Sequence, residues 1–549
     1  MYHLRVMSRL EGKRNLTAVE ALLLVVFMAE VLYYVYCNFA HMQHSIESDL
    51  AKMMVHTIEM ARNKTFLIPN WNYTTTAEWD TAALPAVVFF LVTGNIYLSY
   101  ALVNTLTILF WIFIINRLMT QAGLERVWRL LALAVVFGHF DMDDTWYTAD
   151  MLFTAGAQYT YKVLLPLLFL TLLYAEPAKR RDKKQVALTV LFGIMMVITG
   201  ASSGIYTLLC GIFPILLCLC MFYLTDRKQG DGHDLWLGLI AVGCLLFGMG
   251  LCRLWHVTPG SSAPMDLRTM AELKEAPLKT LISLLEVWYL FPARNVMAMS
   301  VDGIAMIVKF VFICVLLGFG LSRLPDAFGV RRLIKGQQAS DTAARIRICL
   351  ISVFAWNFLI LMLTNTAARY QLIGTVPLTL CAVCALRDLS TKYMETPERN
   401  RLKDGLIVLV AASLALILAV ATRYTERTHY HGTEGTIAFC DELIPYLEKE
   451  GVEQVLLLNE RELSELLRFY DDRDRLYSHV IVTTDEVRFF NWDYYKTTDD
   501  MGLFETAAII GTQEAIAQLP EELLGERVLQ EEFQLDTHFK KAELQVWKR

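Results

Sequence analysis

The feature that most constrains this chain is a succession of apolar runs, each about as long as a helix must be to cross a bilayer. A hydrocarbon core of roughly 30 Å asks for about 20 helical residues at about 1.5 Å each. Runs of that length or near it fall at 16–38, 96–117, 130–140, 158–175, 186–203, 205–224, 235–252, 302–322, 346–364, 371–388 and 404–422, the third being short. A hydrophobic content of 55% and a mean hydropathy of +0.39 lie outside what a water-soluble fold tolerates. The expected fold is an α-helical polytopic membrane protein of about eleven transmembrane helices.

Charge reads the topology. The formal net charge is only −6, but the two signs are segregated. The connectors 178–184 (AKRRDKK), 331–335 (RRLIK) and 399–403 (RNRLK) are strongly basic and the alternate ones are not. The positive-inside rule then puts the N-terminus in the cytoplasm. The first run follows Arg5, Arg9, Lys13 and Arg14, reaches 16–38 and has no small-residue cleavage pattern after it, so it reads as a retained helix. An odd span count divides the chain into a membrane domain, 1–422, and an extracytoplasmic domain, 423–549. Segregation of this kind argues for a plasma membrane and against nucleic acid as a partner. Ten of the 11 cysteines lie in or beside apolar runs and Cys440 stands alone in the tail, so no disulfide framework is expected there.

Two outer loops are long, 39–95 and 253–300. In the first, Ile46, Leu50, Met54 and Ile58 repeat every four residues while Asp49, Lys52 and His56 share the other face, the pattern of a helix lying in the interface. The second leads into Trp288, Tyr289, Phe291 and Pro292, an aromatic cluster suited to the headgroup layer. After Thr422 short β-rich runs (455–458, 480–484, 507–511, 544–547) alternate with polar helical stretches (441–450, 460–468, 513–519), the pattern of a small α/β domain. That domain carries no Gly-rich phosphate loop and no metal-spaced Cys/His set.

Ionised groups at a membrane boundary are costly unless used or paired. Three places qualify: Asp49 beyond the first helix; Asp141, Asp143 and Asp144, with Asp150 a turn later; and Arg369-Tyr370 at the start of the tenth run, with Lys162 near the outer end of the fourth. The three clustered aspartates are candidates to hold an acceptor or a divalent cation, although their spacing is not that of a calcium loop. No cofactor is required by the sequence. Trp71 and Tyr73 are candidates to stack on a ring of a bound ligand, and interfacial anchoring explains them equally well.

The segments Ser48-Asp49-Leu50-Ala51, Pro69-Asn70-Trp71-Asn72-Tyr73-Thr74-Thr75 and Gly94-Asn95 resemble the first outer loop of bacterial GT-C glycosyltransferases, which include protein mannosyltransferases and the aminoarabinose transferases of lipid A. Arg369-Tyr370, leading into an apolar helix with Pro377, is similar to the family's late helix. The chain departs from the mannosyltransferase branch in having Leu50 after Asp49. The resemblance implies a GT-C-like fold and transfer of a sugar from a polyprenyl-phosphate donor, embedded among membrane lipids, to a cell-envelope glycan, lipid or protein on the outer face. Asp49 would be the general base, and Arg369, with Tyr370 and Lys162, would bind the donor phosphate; a guanidinium offers phosphate two parallel hydrogen bonds.

Each candidate has a plainer reading: Asp49 pairing with Lys52, Arg369 or Lys162 snorkelling, the aspartates solvating a loop. At the level of function the alternatives are a transporter or flippase of lipid-linked sugars and a surface-polysaccharide ligase or polymerase. Transporters commonly have repeated halves and midplane ion sites. Here only Glu20 and Glu30 are embedded acids.

Overall fold

The computed structural model describes residues 16–68, 71, 77–142, 148–176, 180, 182–225, 232–255, 267–290, 296–335, 341–364, 367–393, 397–430, 433–471, 475–484, 486–489, 502–536 and 541–549. Its first part is helical: α1 (Ala18–Ala40), α2 (Ser48–Asn63), α3 (Ala83–Thr93), α4 (Ile96–Gln121), α5 (Arg126–Val136), α6 (Thr148–Leu152), α7 (Thr160–Leu173), α8 (Lys183–Ala201), α9 (Gly204–Thr225), α10 (Gly232–Leu254), α11 (Ala276–Glu286), α12 (Val301–Leu321), α13 (Val330–Lys335), α14 (Thr342–Leu363), α15 (Ala368–Tyr393) and α16 (Pro397–Tyr424).

Among the described residues, 9 helices are long and apolar enough to cross a membrane. They coincide with nine of the eleven expected runs. The other two runs form α5 and α7, of 11 and 14 residues, too short to span as straight helices. Both are walled in by neighbours; Leu164, Leu165, Leu167 and Leu168 of α7 are fully buried. Hydropathy registers a helix buried in protein as readily as one facing lipid, so α5 and α7 read as apolar runs like the longer ones. Helix α3, inside the stretch expected as outer loop, is the reverse case. It is apolar, exposes Val88, Leu91 and Val92, and turns into α4 through Gly94 at φ 64°, with Asn95 capping α4 by accepting from the Leu98 amide at 3.0 Å.

Two further expectations are corrected. Glu20 is not embedded: it sits in the first turn of α1 in a capping box with Thr17. Glu30 is fully buried in the same helix. At the aromatic end of the second outer loop Trp288 is turned into the protein, 6% exposed, and Tyr289 is half-buried, while Phe291 and Pro292 lie outside the described residues. Gln371 of α15 draws that segment inward, its Nε2 donating to Thr280 O at 3.1 Å and Ser283 Oγ at 2.9 Å.

Helix α16 runs through a π-helical turn, Thr425–His429, and the chain continues into α17 (Glu434–Lys449), β1 (Gln454–Leu458), α18 (Arg461–Tyr470), β2 (Leu476–Val482), β3 (Val487–Phe489), β4 (Ala508–Thr512), β5 (Val528–Asp536) and β6 (Lys541–Lys548). The six-stranded sheet has the order β3-β2-β1-β4-β6-β5. Strand β1 pairs in parallel with β2 and β4; the other pairings are antiparallel. The α/β tail expected from its alternating pattern is therefore present, with the edge strands β3 and β5 added.

Candidate functional site

Asp49 lies in the first turn of α2, with Glu47 at the N-cap position. Negative charge is favourable there, against the unsatisfied amides and the positive end of the helix dipole. The helix is not the interfacial one expected. Lys52 and His56, placed by the sequence pattern on a water-facing side, are 3% and 0% exposed. Lys52 Nζ meets Glu78 Oε1 at 3.0 Å, and the His56 ring stacks on Trp71 with centroids 4.8 Å apart. Trp71, 4% exposed, thus spends a ring face on His56 inside the loop. Burial, with Lys52 adding to it, holds the His56 imidazole down to about 3, so it is neutral at ordinary pH. Desolvation pushes the Glu78 carboxyl upward, and Lys52 opposes the shift.

The outer side of α2 is covered by α18 of the sheet domain. Leu466, Phe469 and Tyr470 join the apolar cluster of α2, α3 and α4, and Phe469 meets the Tyr97 ring edge-on at 6.0 Å. Glu462, at the start of α18, comes within electrostatic reach of Glu47. Glu47 itself is exposed to solvent, with protein atoms packed around it. Desolvation first, then Asp49, Asp150 and Glu462, raise its carboxyl well above the ordinary range, while Arg369 works the other way.

Arg369 and Tyr370 occupy the first turn of α15. The guanidinium lies over the Tyr370 ring at 5.3 Å. The Tyr370 carbonyl accepts from Tyr206 OH at 2.7 Å and Asn357 Nδ2 at 3.3 Å, which fixes the backbone carrying Arg369. Tyr159, Tyr206 and Tyr370 form a ring cluster with centroids 5.9–6.4 Å apart. The charges bearing on the Tyr159 phenol include Arg369, Asp49 and Asp80, and Asp49 also bears on Arg369. Residues more than 300 positions apart in the chain, Asp49 and Arg369, are thereby brought to one mouth.

Lys162 stands beside this mouth. Its Nζ donates to Gln158 O at 2.8 Å, lies over the Tyr159 ring at 4.9 Å and approaches Asp80 Oδ1 to 3.8 Å. Asp80 also accepts from Ser202 Oγ at 2.7 Å and from Ser203 Oγ. Next to Asp80 opens an apolar cavity of about 510 Å³ between α3, α4 and α8, lined by Trp79, Leu84, Val103, Tyr161 and Ile194 among others. Part of its wall, Val88, Leu106 and Ile194, is exposed on the apolar flank of the helices, so the cavity opens sideways.

Asp141 sits elsewhere. It is 2% exposed, accepts from the Ala149 amide at 3.4 Å at the start of α6, and has His139 Nδ1 at 3.8 Å. It lines a small internal cavity of about 40 Å³ with Thr148, Trp288 and Thr375. Its aspartate companion at the mouth is Asp150, which accepts from Thr154 Oγ1 and bears on Glu47. Asp143, Asp144 and Tyr73 lie outside the described residues. Among the described residues no group of three or more His, Cys, Asp or Glu side chains could hold a metal ion. Sequence reasoning gave no role to Glu47, Asp80, Ser202, Ser203 or Glu462. The Ser202-Ser203 pair between α8 and α9 was the one local signal, a polar break between two apolar runs.

No family model matches the sequence, and no curated protein matches it. Among solved structures the chain is similar to the oligosaccharyltransferase of Archaeoglobus fulgidus. With the form tethered through a disulfide bond to an acceptor peptide containing the NVT sequon, the TM-score is 0.48 at 10% identity over 83% of this chain and 63% of that one. With the apo form the TM-score is 0.47 at 11% identity, over 83% and 64%. With AglB in complex with an inhibitory peptide and a dolichol-phosphate it is 0.45 at 11% identity, over 83% and 64%. The chain thus spans 63–64% of the length of the structures it matches.

Proposed function

We propose that the protein is a membrane glycosyltransferase that moves a sugar from a polyprenyl-phosphate donor to a cell-envelope acceptor on the outer face of a bacterial plasma membrane. The observation that supports this most is the convergence of Asp49 and Arg369 at the mouth beside a sideways-opening apolar cavity. A lipid-linked sugar has its tail in the hydrocarbon and its anomeric carbon at the boundary, which matches an apolar cavity next to a charged mouth.

In this reading the acceptor O–H or N–H gives its proton to the Asp49 carboxylate as its heteroatom attacks the anomeric carbon. The bond from that carbon to the phosphate oxygen breaks, and its electron pair leaves with the phosphate. Arg369, with Tyr370 beside it, stabilises the charge appearing on the departing phosphate, and Lys162 adds positive potential. A single displacement inverts the anomeric configuration.

The test is sugar release by the detergent-purified protein from a panel of radiolabelled polyprenyl-phosphate monosaccharides, with Asp49→Asn and Arg369→Ala compared at matched folding. A positioned base contributes about 10²–10⁴-fold, so Asp49→Asn should lose that much. Turnover indifferent to Asp49 would remove it as the base. Failure of every donor in both turnover and direct binding would end the transferase reading and favour transport.

A further inference from the structure

At the opposite end of α15 a second set of charges surrounds a cavity. Asp388 is 19 residues beyond Arg369 on one helix, which puts the two about 28 Å apart, close to the thickness of a hydrocarbon core. The cavity, about 130 Å³, is bounded by Arg323 at the end of α12, Asp326, Arg332 on α13, Arg347 on α14, and Cys381 and Asp388 on α15. It is unlike an ion-pair staple in two respects. First, Arg347 Nη1 holds Asp388 at 2.9 and 2.7 Å, Arg323 Nη2 approaches it at 3.4 Å and Arg387 Nη1 lies at 3.6 Å, so one carboxylate is shared by three guanidinium groups. Asp326 has Arg331 at 3.9 Å, and Arg387, 3.6 Å from Asp388, also pairs with Glu125 at 2.8 Å. Second, the space between the groups is open, and the buried Nε of Arg347 has no hydrogen-bond partner among the described residues. An ion-pair cluster that served only to clamp helices would close over its charges, because a desolvated group left short of partners costs stability.

We propose that this cavity binds an anionic phosphate group at the membrane face opposite Asp49. Among the described residues three guanidinium groups and two carboxylates line it, a surplus of positive charge in the geometry that suits tetrahedral oxyanions. The volume has room for several water molecules, hence for one phosphate. The site lies at headgroup level: α13 exposes Val330 and Ile334 beside Arg331 and Arg332, an apolar edge next to a basic one. Basic pockets between membrane helices on the positively charged side are where phosphate headgroups lodge. The phosphate could be that of an anionic phospholipid or a free anion, and both use the same contacts.

The experiment compares the full chain in nanodiscs of phosphatidylcholine alone and of phosphatidylcholine with phosphatidylglycerol, counting retained lipids by native mass spectrometry. Inorganic phosphate is titrated calorimetrically onto the protein in detergent. Preferential retention of phosphatidylglycerol, weakened about tenfold in the Arg323→Gln/Arg332→Gln double variant and unchanged in Arg62→Gln, supports the site with a lipid source. Binding of inorganic phosphate with the same dependence on variants supports it with a free-anion source. Arg332→Gln alone, which leaves both contacts to Asp388 intact, gives the readout if the double variant does not fold. Wild type that retains neither probe above the phosphatidylcholine background, or variants that bind as wild type does, overturns the proposal. No sugar donor enters the experiment, so its failure is separate from that of the transferase reading.

Discussion

The residues of the mouth differ in how much of their behaviour is set locally. Asp49 and Arg369 stand out in the sequence because short motifs flank them. Asp80 and Glu462 do not, because their partners come from distant stretches and no pattern along the chain announces them. The Lys52–Glu78 pair is such a long-range feature, with the lysine side chain 4% exposed and the glutamate 18%. Lys52→Met removes the nearest cation from the Glu78 carboxyl, and the loss should read as a lower Tm in detergent. Adding Glu78→Gln should recover much of it. Titration gives two slopes of opposite sign. The His56 imidazole is depressed to about 3, so the fold prefers it neutral; stability is full above its ordinary value and lost as pH falls. Between about pH 6.5 and 5 the loss should approach about 2 kcal/mol, and His56→Phe should flatten it. Glu47 is raised instead, so its contribution is present at low pH and lost as pH rises through the raised value. Melts of Glu47→Gln should lack that alkaline decline; an unchanged slope would show that another group causes it.

At the scale of elements, the long spans were readable because twenty apolar residues admit few other fates. What escaped was structure whose signal is short or one-sided. Helix α3 is an 11-residue apolar run with Pro85 in its first turn, too brief to be taken for a span. Strand β5 lies at the sheet edge with most of its residues exposed, so no alternation of apolar and polar residues betrays it. Packing between spans was equally invisible. Helices α8 and α10 cross at Gly200 and Gly248: a Cβ on the first would meet Leu245 O, and on the second Val197 O. Backbone cannot yield as a side-chain tip does, and membrane helices use small residues for such approaches. Gly248→Leu should therefore separate the pair and lower Tm by several degrees, whereas Gly250→Leu, where a Cβ meets nothing within 4 Å, should be tolerated.

Across the whole molecule, the sheet domain and the membrane domain share α18. Leu463 and Leu467 face the sheet core, while Leu466 faces the loop that carries Asp49. Leu466→Asp should leave the sheet domain folded, as judged by resistance to limited proteolysis, yet reduce the proposed transfer about 10²-fold by loosening α2. Equal activity would mean that the domain serves something other than holding the loop. The cavity beside Asp80 opens on the apolar flank of the helices rather than into water. A ligand using that entrance arrives by diffusing in a plane. What governs occupancy is then its mole fraction in the leaflet, so diluting the sample in buffer changes nothing while adding inert lipid slows the protein down.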